Sequence, residues 1–304
     1  MSTLPAQIIV IGSANTDMVV DVPTLPGPGE TVLGGAFRLT PGGKGANQAV
    51  AAARAGGRVT FLTAVGDDGF GEESLQRFAA EGMETRYIRT KAGTPSGVAL
   101  IMVDARGENL IAVAPGANGR LAPEDVDAEA FMGARMAILQ LEIPLDTVLR
   151  AVTCARAAGC PVLLNPAPMP AAGLPDALLR QVSILTPNEH ELLALAPGVP
   201  SVDVAAEQVL ARGPEALVVT QGAKGAAVFT RDERFQVPAL PVNAVDTVGA
   251  GDCFSACLGV ALAEGRALRE AVRFAVTAAG ISATRVGAQA AMPRRGEIEG
   301  AGGG

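Results

Sequence analysis

Residues 42–65, GGKGANQAVAAARAGGRVTFLTAV, begin with an Ala-rich segment of helical character and run directly into a strand rich in β-branched residues. We therefore predict a helix over 44–56 and a strand over 58–65, preceded by a buried strand in QIIVIG at 7–12. The alternation continues, with strands predicted at 136–141, 161–165, 183–185 and 215–220, and helices at 70–82, 145–158, 201–212, 250–264 and 267–283. Parallel strands need such crossovers, so the sequence predicts an α/β protein with a mostly parallel sheet covered on both faces.

Composition and charge exclude several classes of function. The chain has 304 residues, 49% of them apolar and 18% charged, so it can bury a large core. Its 24 basic and 31 acidic residues give a net charge of −7, which excludes a general attraction to nucleic acid or to an anionic membrane. No apolar run reaches ~18 residues and the first residues do not resemble a secretion signal, so we expect a cytoplasmic protein without a membrane span.

The cysteine and histidine content restricts the chemistry further. Cys253 and Cys257 are four residues apart in a stretch of helical pattern, which suits either a metal or redox pair or two small buried residues on adjacent turns. Because His190 is the only histidine, neither a zinc site of Cys and His nor a Ser-His-Asp triad is expected. We predict buried, reduced thiols, as in a reducing compartment.

Two segments interrupt the strand–helix alternation. Residues 17–40 have a β-type pattern with Pro and Gly but no helix, and residues 96–115 resemble two strands joined by a turn at 104–109. They form either a small separate sheet, hinged as a lid over a site, or two hairpins packed on the main sheet. With a lid, the core would comprise 1–16, 41–95 and 116–296, and 297–304 would be a flexible Gly-rich tail.

A glycine-rich turn, DTVGAGD at 246–252, precedes the first of the two long C-terminal helices. Small residues at a helix N-terminus present free amides and the positive end of the helix dipole, which together suit a phosphate. Asp252 either caps the helix or accepts a proton from an incoming hydroxyl. We favour the second role, because a carboxylate beside an anion site is costly unless it takes part in the chemistry.

A second motif, PGGKGANQA at 41–49, is not a P-loop, because Lys44 is followed by Gly45 and the glycine spacing differs. It suits either a tight turn or a sugar site in which Asn47 offers hydroxyls one acceptor and two donors. Other polar residues follow predicted strands, where ligands of open parallel sheets bind. These are Asn15, Asp17, Glu142, Asn165, Asn188, Glu191 and the run 220–225. Together they predict a polar cleft along one edge of the sheet.

With these motifs, the chain resembles the ribokinase group of carbohydrate kinases, which also holds fructokinases and adenosine kinase, over about residues 7–296. The resemblance rests on GSANTD, PGETV, GGKGANQA, GDDGFG, LQLEIP, NPAP, TPNEHEL, TQGAKG, AVDTVGAGD and TRVGAQ, in this order. It implies a ribokinase-like three-layer α/β/α core with a β-sheet lid, and phosphorylation of the 5-hydroxyl of D-ribose by ATP. Alternatives are a kinase of deoxyribose, another furanose or a nucleoside, and a non-catalytic sugar-binding protein.

The resemblance also implies roles for individual residues. Asp252 would be the base, and Gly249, Ala250 and Gly251 would hold the transferred phosphoryl group. Sugar contacts would come from Asn15, Asp17, Gly43, Lys44, Asn47, Glu142 and Asp252. Mg²⁺ and phosphate would be placed by Asn188 and Glu191. The nucleotide would contact Thr220, Gln221, Gly222, Ala223, Lys224, Gly225 and Gly251.

The resemblance also implies a potassium ion, as a monovalent activator, beside the glycine-rich turn at 246–252, here called the anion turn. Its ligands would come from Asp246, Val248, Ser282, Arg285, Gly287 and Ala291. Ala291 has no side-chain oxygen, so a backbone carbonyl or a water would have to serve there. Ribokinases are also similar in pairing their lids, which implies a homodimer through the β lid.

Overall fold

The computed structural model describes residues 5–302. Its strands are β1 (Gln7–Ile11), β2 (Asn15–Val22), β3 (Phe37–Gly42), β4 (Arg58–Leu62), β5 (Ala64–Gly66), β6 (Arg89–Lys91), β7 (Gly97–Asp104), β8 (Asn109–Ala114), β9 (Met136–Leu139), β10 (Val162–Leu164), β11 (Ile184–Leu185), β12 (Ala216–Thr220), β13 (Ala226–Thr230) and β14 (Arg234–Val237). Its α-helices are α1 (Lys44–Arg54), α2 (Gly69–Ala80), α3 (Leu145–Ala157), α4 (Asp176–Leu179), α5 (Glu189–Leu195), α6 (Val202–Ala211), α7 (Ala250–Ala263), α8 (Leu268–Ser282) and α9 (Arg295–Ala301).

Eight strands form one sheet in the order β14-β13-β12-β11-β10-β9-β1-β4. The six strands from β12 to β4 are parallel, whereas β13 and β14 pair antiparallel at one edge. The predicted α/β fold with a mostly parallel sheet is confirmed. The sequence prediction omitted the antiparallel edge, because a short hairpin without a following helix lies outside the strand–helix alternation on which that prediction depended.

Helices cover both faces of this sheet. Successive side chains of a strand point to opposite sides, so each buried strand packs against helices on both faces. In β1, Ile8 and Val10 enter a hydrophobic cluster with residues of α1, α7 and α8. Ile9 and Ile11 enter a second cluster with α3, α5 and α6. The molecule therefore has three layers around a sheet that is apolar on both faces. None of the helices within residues 5–302 combines the length and the apolar character needed to cross a bilayer.

A second, four-stranded sheet has the order β3-β2-β7-β8. Strand β2 pairs antiparallel with β3 and parallel with β7, which pairs antiparallel with β8. The two helix-free segments thus pair with each other, rather than as separate hairpins on the eight-stranded sheet. Only residues 12–14 separate β1 from β2, so this short β1–β2 link attaches the second sheet at the carboxyl end of a parallel strand.

The end of the chain requires a correction. Helix α9 continues to Ala301, and Ile298 is 1% exposed within the cluster that includes α8. The prediction of a flexible tail over 297–304 is therefore wrong for 297–301. Its glycine content concealed one apolar anchor, and Glu297 accepts a hydrogen bond from the amide that precedes the helix. The first four and last two residues, which the sequence analysis assigned to the core and the tail, lie outside the described residues.

One predicted strand is divided in the structure. The run 58–65 forms β4, which ends at Leu62, and then β5, which pairs with β6 in a separate two-stranded sheet. A continuous apolar run does not reveal where a strand leaves its sheet, because both parts are equally buried.

Candidate active site

Polar side chains that follow separate strands lie together at the carboxyl ends of β10, β11 and β12. With the start of α7 they line a polar cavity of ≈ 230 Å³. Its lining residues are Lys44, Asn165, Ala167, Thr186, Asn188, Glu191, Thr220, Thr247, Gly249, Gly251, Asp252 and Ser255. This is the edge at which ligands of open α/β sheets bind.

Asp252 lies in the first turn of α7 with 6% of its surface exposed. It does not cap the helix, since the N-cap is Gly249 and the carboxylate accepts hydrogen bonds from α1 instead. Nδ2 of Asn47 donates to Oδ2 at 3.0 Å, and Nε2 of Gln48 donates to Oδ1 at 2.9 Å. The carboxylate is therefore fixed beside the polar cavity. Sequence reasoning assigned no role to Gln48.

The turn before α7 leaves three amides free. Gly249 adopts φ +75°, and a Cβ there would lie 3.0 Å from a side-chain carbon of the facing loop, so glycine is required. Within residues 5–302, the N–H groups of Gly249, Gly251 and Asp252 have no hydrogen-bond partner. The amide of Ala250, expected to be a fourth donor, instead donates to the carbonyl of Thr247 at 3.1 Å. The three free donors and the positive end of the α7 dipole make this turn suitable for an anion.

Five charged side chains interact electrostatically around this site: Asp17, Lys44, Glu142, Glu191 and Asp252. Burial and the charges of Glu142 and Asp252 raise the pKa of Asp17 from 3.8 to about 6. The pKa of Lys44 is raised chiefly by the charge of Asp252, against the opposing effect of burial. Burial raises the pKa of Glu191, partly offset by a backbone hydrogen bond. Lys44 is thus a cation whose charge is favoured by Asp252, Glu142 and Glu191.

The residues expected to hold a sugar lie around the starts of β2 and α1. Asn15 and Asp17 are alternate residues of β2 and share one face of the strand. Asn47 lies in the first turn of α1, which follows Gly43. Gly43 has φ +86°, and a Cβ there would lie 2.8 Å from the amide nitrogen of Asn15. The glycine therefore permits a close approach of α1 to β2 and brings Asn15, Asp17 and Asn47 to one region.

Two side chains anchor the β1–β2 link beside this region. Oε2 of Glu142, after β9, accepts the hydroxyl of Ser13 at 2.5 Å and the amide of Lys44 at 2.9 Å. Asn118 exchanges two hydrogen bonds with the backbone of the link and donates to Oδ1 of Asn15 at 2.7 Å. Sequence reasoning missed Ser13 and Asn118, because Ser and Asn in loops are indistinguishable by pattern from ordinary turn residues.

Asn188 and Glu191 form a capping box at the start of α5. Oδ1 of Asn188 accepts the amide of Glu191, and Oε2 of Glu191 accepts the amide of Asn188, both at 2.8 Å. Both residues also line the polar cavity. Oε1 of Glu191 makes no hydrogen bond to any described residue, so one oxygen is available to a ligand. Residues 5–302 contain no cluster of three or more Asp, Glu, His or Cys side chains arranged to hold a metal ion unaided.

An apolar cavity of ≈ 520 Å³ adjoins the polar one, and Thr220, Thr247 and Gly251 line both. Its other lining residues are Gly222, Ala223, Gly225, Ala239, Leu240, Pro241, Val242, Ala244, Ala250, Phe254, Val276, Ala279, Gly280 and Ala283. Gln221 and Lys224 line neither cavity; Nε2 of Gln221 donates to Oε1 of Glu189 at 2.8 Å. The pair of cavities suits a phosphate chain attached to a flat apolar ring. Sequence reasoning missed the 239–244 loop and α8, because small apolar residues that line a cavity have the same sequence pattern as residues of the hydrophobic core.

The residues expected to bind a monovalent cation lie in the loop before α7, at the end of α8 and in the segment between α8 and α9. Oδ1 of Asp246 accepts the amide of Val248 at 2.9 Å, and Oδ2 accepts the amide of Gly287 at 2.8 Å. The remaining members of the set are Ser282, Arg285 and Ala291. The serine hydroxyl donates to a carbonyl of α8, the guanidinium pairs with α9, and the buried alanine has no side-chain oxygen. An ion here would therefore depend mainly on backbone carbonyls.

All four cysteines are buried, and none forms a disulfide. Cys253 and Cys257 lie on adjacent turns of α7 with 0% and 1% of their surfaces exposed. The hydrogen bond that its thiol shares with the thiol of Cys253, together with burial, raises the pKa of Cys257. Both belong to the hydrophobic cluster that includes residues of α1 and α8, so they pack as small core side chains.

The site combines a buried carboxylate with three free amides, and lies between the apolar cavity and the four-stranded sheet. This combination is typical of a small-molecule kinase. The chain belongs to the pfkB family of carbohydrate kinases, whose profile matches residues 5–295. The resemblance to the ribokinase group is confirmed by curated relatives. The ribokinase of Bacillus subtilis (strain 168) is 41% identical over 295 residues, covering 96% of this chain and 98% of the relative. The deoxyribokinase of Salmonella typhi is 40% identical over 294 residues, covering 94% and 95%.

Solved structures of the same group share the whole fold. The ribokinase of Thermotoga maritima superposes with a TM-score of 0.89 at 36% identity, covering 97% of this chain and 99% of the other. The Arabidopsis thaliana ribokinase, solved in complex with ribose and ATP, superposes with a TM-score of 0.90 at 32% identity and covers 99% of both chains. The predicted three-layer ribokinase-like core is therefore confirmed.

Proposed function

We propose that this carbohydrate kinase transfers the γ-phosphoryl group of ATP to the 5-hydroxyl of D-ribose, giving D-ribose 5-phosphate and ADP. One observation carries the proposal. The carboxylate of Asp252, 6% exposed, lies beside the three unpaired amides at the start of α7, between the sugar-side residues and the apolar cavity. The structural relative from Arabidopsis thaliana, which was solved with both ribose and ATP, supports a site that accommodates the two together.

In the reaction, Asp252 accepts the proton of the attacking hydroxyl. O5 then bonds to the γ-phosphorus as the bond to the β-phosphate oxygen breaks. The amides of Gly249 and Gly251, with that of Asp252 itself, stabilise the charge on the transferring oxygens. Lys44, which lines the polar cavity, offsets the charge of the phosphates. The hydrogen bonds of Asp252 and the backbone of the turn are in place before the substrates bind, so positioning supplies a large part of the rate gain.

The sugar hydroxyls would be held on the side of β2. Asn15, Asp17 and Asn47 supply amide and carboxylate groups there, and Gly43 allows the sugar ring to approach the backbone. Glu142 acts by tying the start of α1 to the β1–β2 link and by its charge on Asp17. Together these groups offer both donors and acceptors, as several adjacent hydroxyls require.

ATP would enter as its magnesium complex, with Asn188 and Glu191 beside the phosphates. Magnesium bound to phosphates takes one or two protein carboxylates and keeps several waters. The free Oε1 of Glu191 in the polar cavity fits that requirement. The metal would supply charge neutralisation on the phosphates, while Thr220, Gly222 and the apolar cavity hold the nucleoside.

Potassium would activate the enzyme from between the loop at 246–248 and the loop at 285–291. Asp246 fixes both loops through its hydrogen bonds to the amides of Val248 and Gly287. Their carbonyl oxygens then suit a large, weakly hydrated cation. Because Gly249 immediately follows this loop, ordering it would also order the anion turn.

We further propose that the four-stranded sheet is both a lid and a dimer interface. Asp17 faces the sugar side, so the residues of opposite alternation face outward. Cross-strand register places Leu39, Met18 and Leu100 in one outward row. Phe37 belongs to the next row and is 62% exposed, and Leu100 is 55% exposed. A contiguous apolar face of this kind indicates an interface, and a second copy of the same face is its simplest partner. The buried, unpaired cysteines support location in the cytoplasm.

A second candidate acceptor is 2-deoxy-D-ribose. The deoxyribokinase of Salmonella typhi is 40% identical to this chain, close to the 41% of the Bacillus subtilis ribokinase. Overall similarity therefore does not separate the two acceptors, which differ by one hydroxyl.

The test is an acceptor panel with ADP formation as the readout. Pentoses, hexoses, 2-deoxyribose and nucleosides are supplied with Mg·ATP to the wild type, to Asp252→Ala and to the matched control Asp232→Ala, an exposed surface carboxylate. We expect the highest kcat/KM with D-ribose, loss of turnover by at least 10³-fold in Asp252→Ala with ADP binding retained, and wild-type rates in the control. A tenth or more of the wild-type rate in Asp252→Ala would remove that residue from the role of base, and tight ribose binding without ADP from any acceptor would indicate a binding protein.

A further inference from the structure

Behind the carboxylate of Asp252 lies a chain of buried carboxamides. Nε2 of Gln48 donates to Oδ1 of Asp252 at 2.9 Å and to Oδ1 of Asn165 at 3.2 Å. Oε1 of Gln48 accepts from Nε2 of Gln140 at 2.6 Å. Gln48 and Gln140 are each 0% exposed, so this amide chain is inaccessible to water and to substrate. It joins α1, the end of β9 and the start of α7.

The charge of Asp252 determines the direction of every bond in the amide chain. An ionised carboxylate only accepts hydrogen bonds, so the amide nitrogen of Gln48 must point to it. The oxygen of Gln48 then points to Gln140, whose nitrogen must turn towards it. This orientation leaves Oε1 of Gln140, at the other end of the amide chain, buried without a hydrogen-bond partner. The arrangement therefore satisfies the carboxylate at the expense of a remote amide, which points to a functional rather than a stabilising role.

The two oxygens of Asp252 have different surroundings. Oδ1 faces the fully buried Gln48, whereas Oδ2 accepts from Asn47, which is 7% exposed and belongs to the sugar-side residues. Asn47 is itself oriented by Gln289, whose Nε2 donates to its Oδ1 at 3.2 Å. Oδ2 is thus the oxygen on the side of the acceptor alcohol.

We infer that Gln48 is a positioning residue that holds Oδ1 of Asp252 and thereby directs Oδ2 to the attacking hydroxyl, with Gln140 as its support. The inference rests on the proposed kinase reaction and identifies which oxygen takes the proton. Gln48 touches neither substrate. Its removal therefore frees the carboxylate to rotate, which lowers the fraction of complexes aligned for attack and leaves the binding of each substrate unchanged.

The experiment compares Gln48→Met, Gln48→Glu, Gln140→Met and the partly exposed control Gln181→Met. We expect Gln48→Met to lower kcat about 10- to 100-fold, the loss expected for one charge-assisted hydrogen bond, with KM for ribose and for ATP within threefold of wild type. Gln48→Glu keeps the size of the side chain but turns an acceptor towards Asp252. At pH 8 it should lose at least as much kcat. Gln140→Met should lose about three- to tenfold, and Gln181→Met nothing.

Several outcomes would overturn the inference. They are a kcat within twofold of wild type in Gln48→Met, a near wild-type rate in Gln48→Glu, and a rise in ribose KM that accounts for the whole loss in kcat/KM. Thermal unfolding and ADP-binding stoichiometry establish the folded fraction. If Gln48→Met does not fold, the kcat of Gln140→Met decides, since that residue does not touch Asp252. Failure of the proposed function itself is distinct, because the wild type would then yield no ADP with any acceptor.

Discussion

Replacing Asp17 with Asn should stabilise the folded protein but weaken its use of ribose. The pKa of Asp17 is raised from 3.8 to about 6, by burial first and then by the charges of Glu142 and Asp252. A difference of that size corresponds to roughly 3 kcal/mol at about 1.4 kcal/mol per tenfold change in proton affinity. Partial exposure of the side chain reduces it, so we expect Asp17→Asn to gain about 1–3 kcal/mol at pH 7, or about 2–6 °C in Tm.

The size of this stabilisation depends on pH. The carboxyl group of Asp17 ionises more readily in the unfolded chain than in the folded protein, so the wild type loses stability as pH rises from 3.8 to about 6. Above that range the loss is complete, and below 3.8 it is absent. The advantage of Asp17→Asn should therefore be full at pH 7 and should vanish near pH 3.5, where both side chains are neutral. Unfolding followed by circular dichroism at several pH values measures it.

The same substitution should raise the KM for ribose about 10- to 100-fold, because it removes a charged acceptor for a sugar hydroxyl, and should leave the KM for ATP within threefold. Protonation of Asp17 should likewise raise the ribose KM of the wild type as pH falls from 7 to 5, but not that of Asp17→Asn. The matched control is Asp21→Asn in the same strand, whose carboxylate pairs at the surface with Arg38 and contributes about 0–1 kcal/mol. A lower Tm in Asp17→Asn at pH 7, or equal effects on the two KM values, would refute the reasoning.

Three further predictions concern other parts of the molecule. Leu100→Glu should convert a dimer to a monomer in light scattering, because it buries a charge in the outward apolar face, while Met132→Glu, at an exposed site elsewhere, should not; a monomeric wild type would contradict the interface. Ala279→Phe should fill the apolar cavity and raise the KM for ATP at least tenfold with little effect on ribose, as measured by initial rates; an unchanged KM for ATP would exclude this cavity as the nucleoside site. Potassium should raise kcat several-fold over sodium, and Asp246→Asn should diminish that difference; equal rates in the two salts would reject the cation site.

The parts of the structure that sequence could predict are those with a local cause. The strand–helix alternation follows from residue periodicity, and the anion turn follows from Gly249 and Gly251 beside Asp252. Gln48 illustrates the opposite case. It is a polar residue in an Ala-rich helix, and its partner Asp252 is 204 positions away, so no local pattern distinguishes it from a surface residue. The apolar cavity was missed for a related reason, since Gly280 and Ala283 differ from core residues only in what lies opposite them.

In the proposed reaction, the sugar-binding and nucleotide-binding halves of the site come from different parts of the chain. The acceptor half is built from β2, the start of α1 and the β1–β2 link, all before residue 50, together with loops after β8 and β9. The part of the donor half that holds the nucleoside is built from β12, the 239–244 loop, α7 and α8, all after residue 215, whereas the phosphate side also includes Lys44, Asn188 and Glu191. Mutations that alter acceptor choice can therefore accumulate in early segments while ATP use is inherited intact.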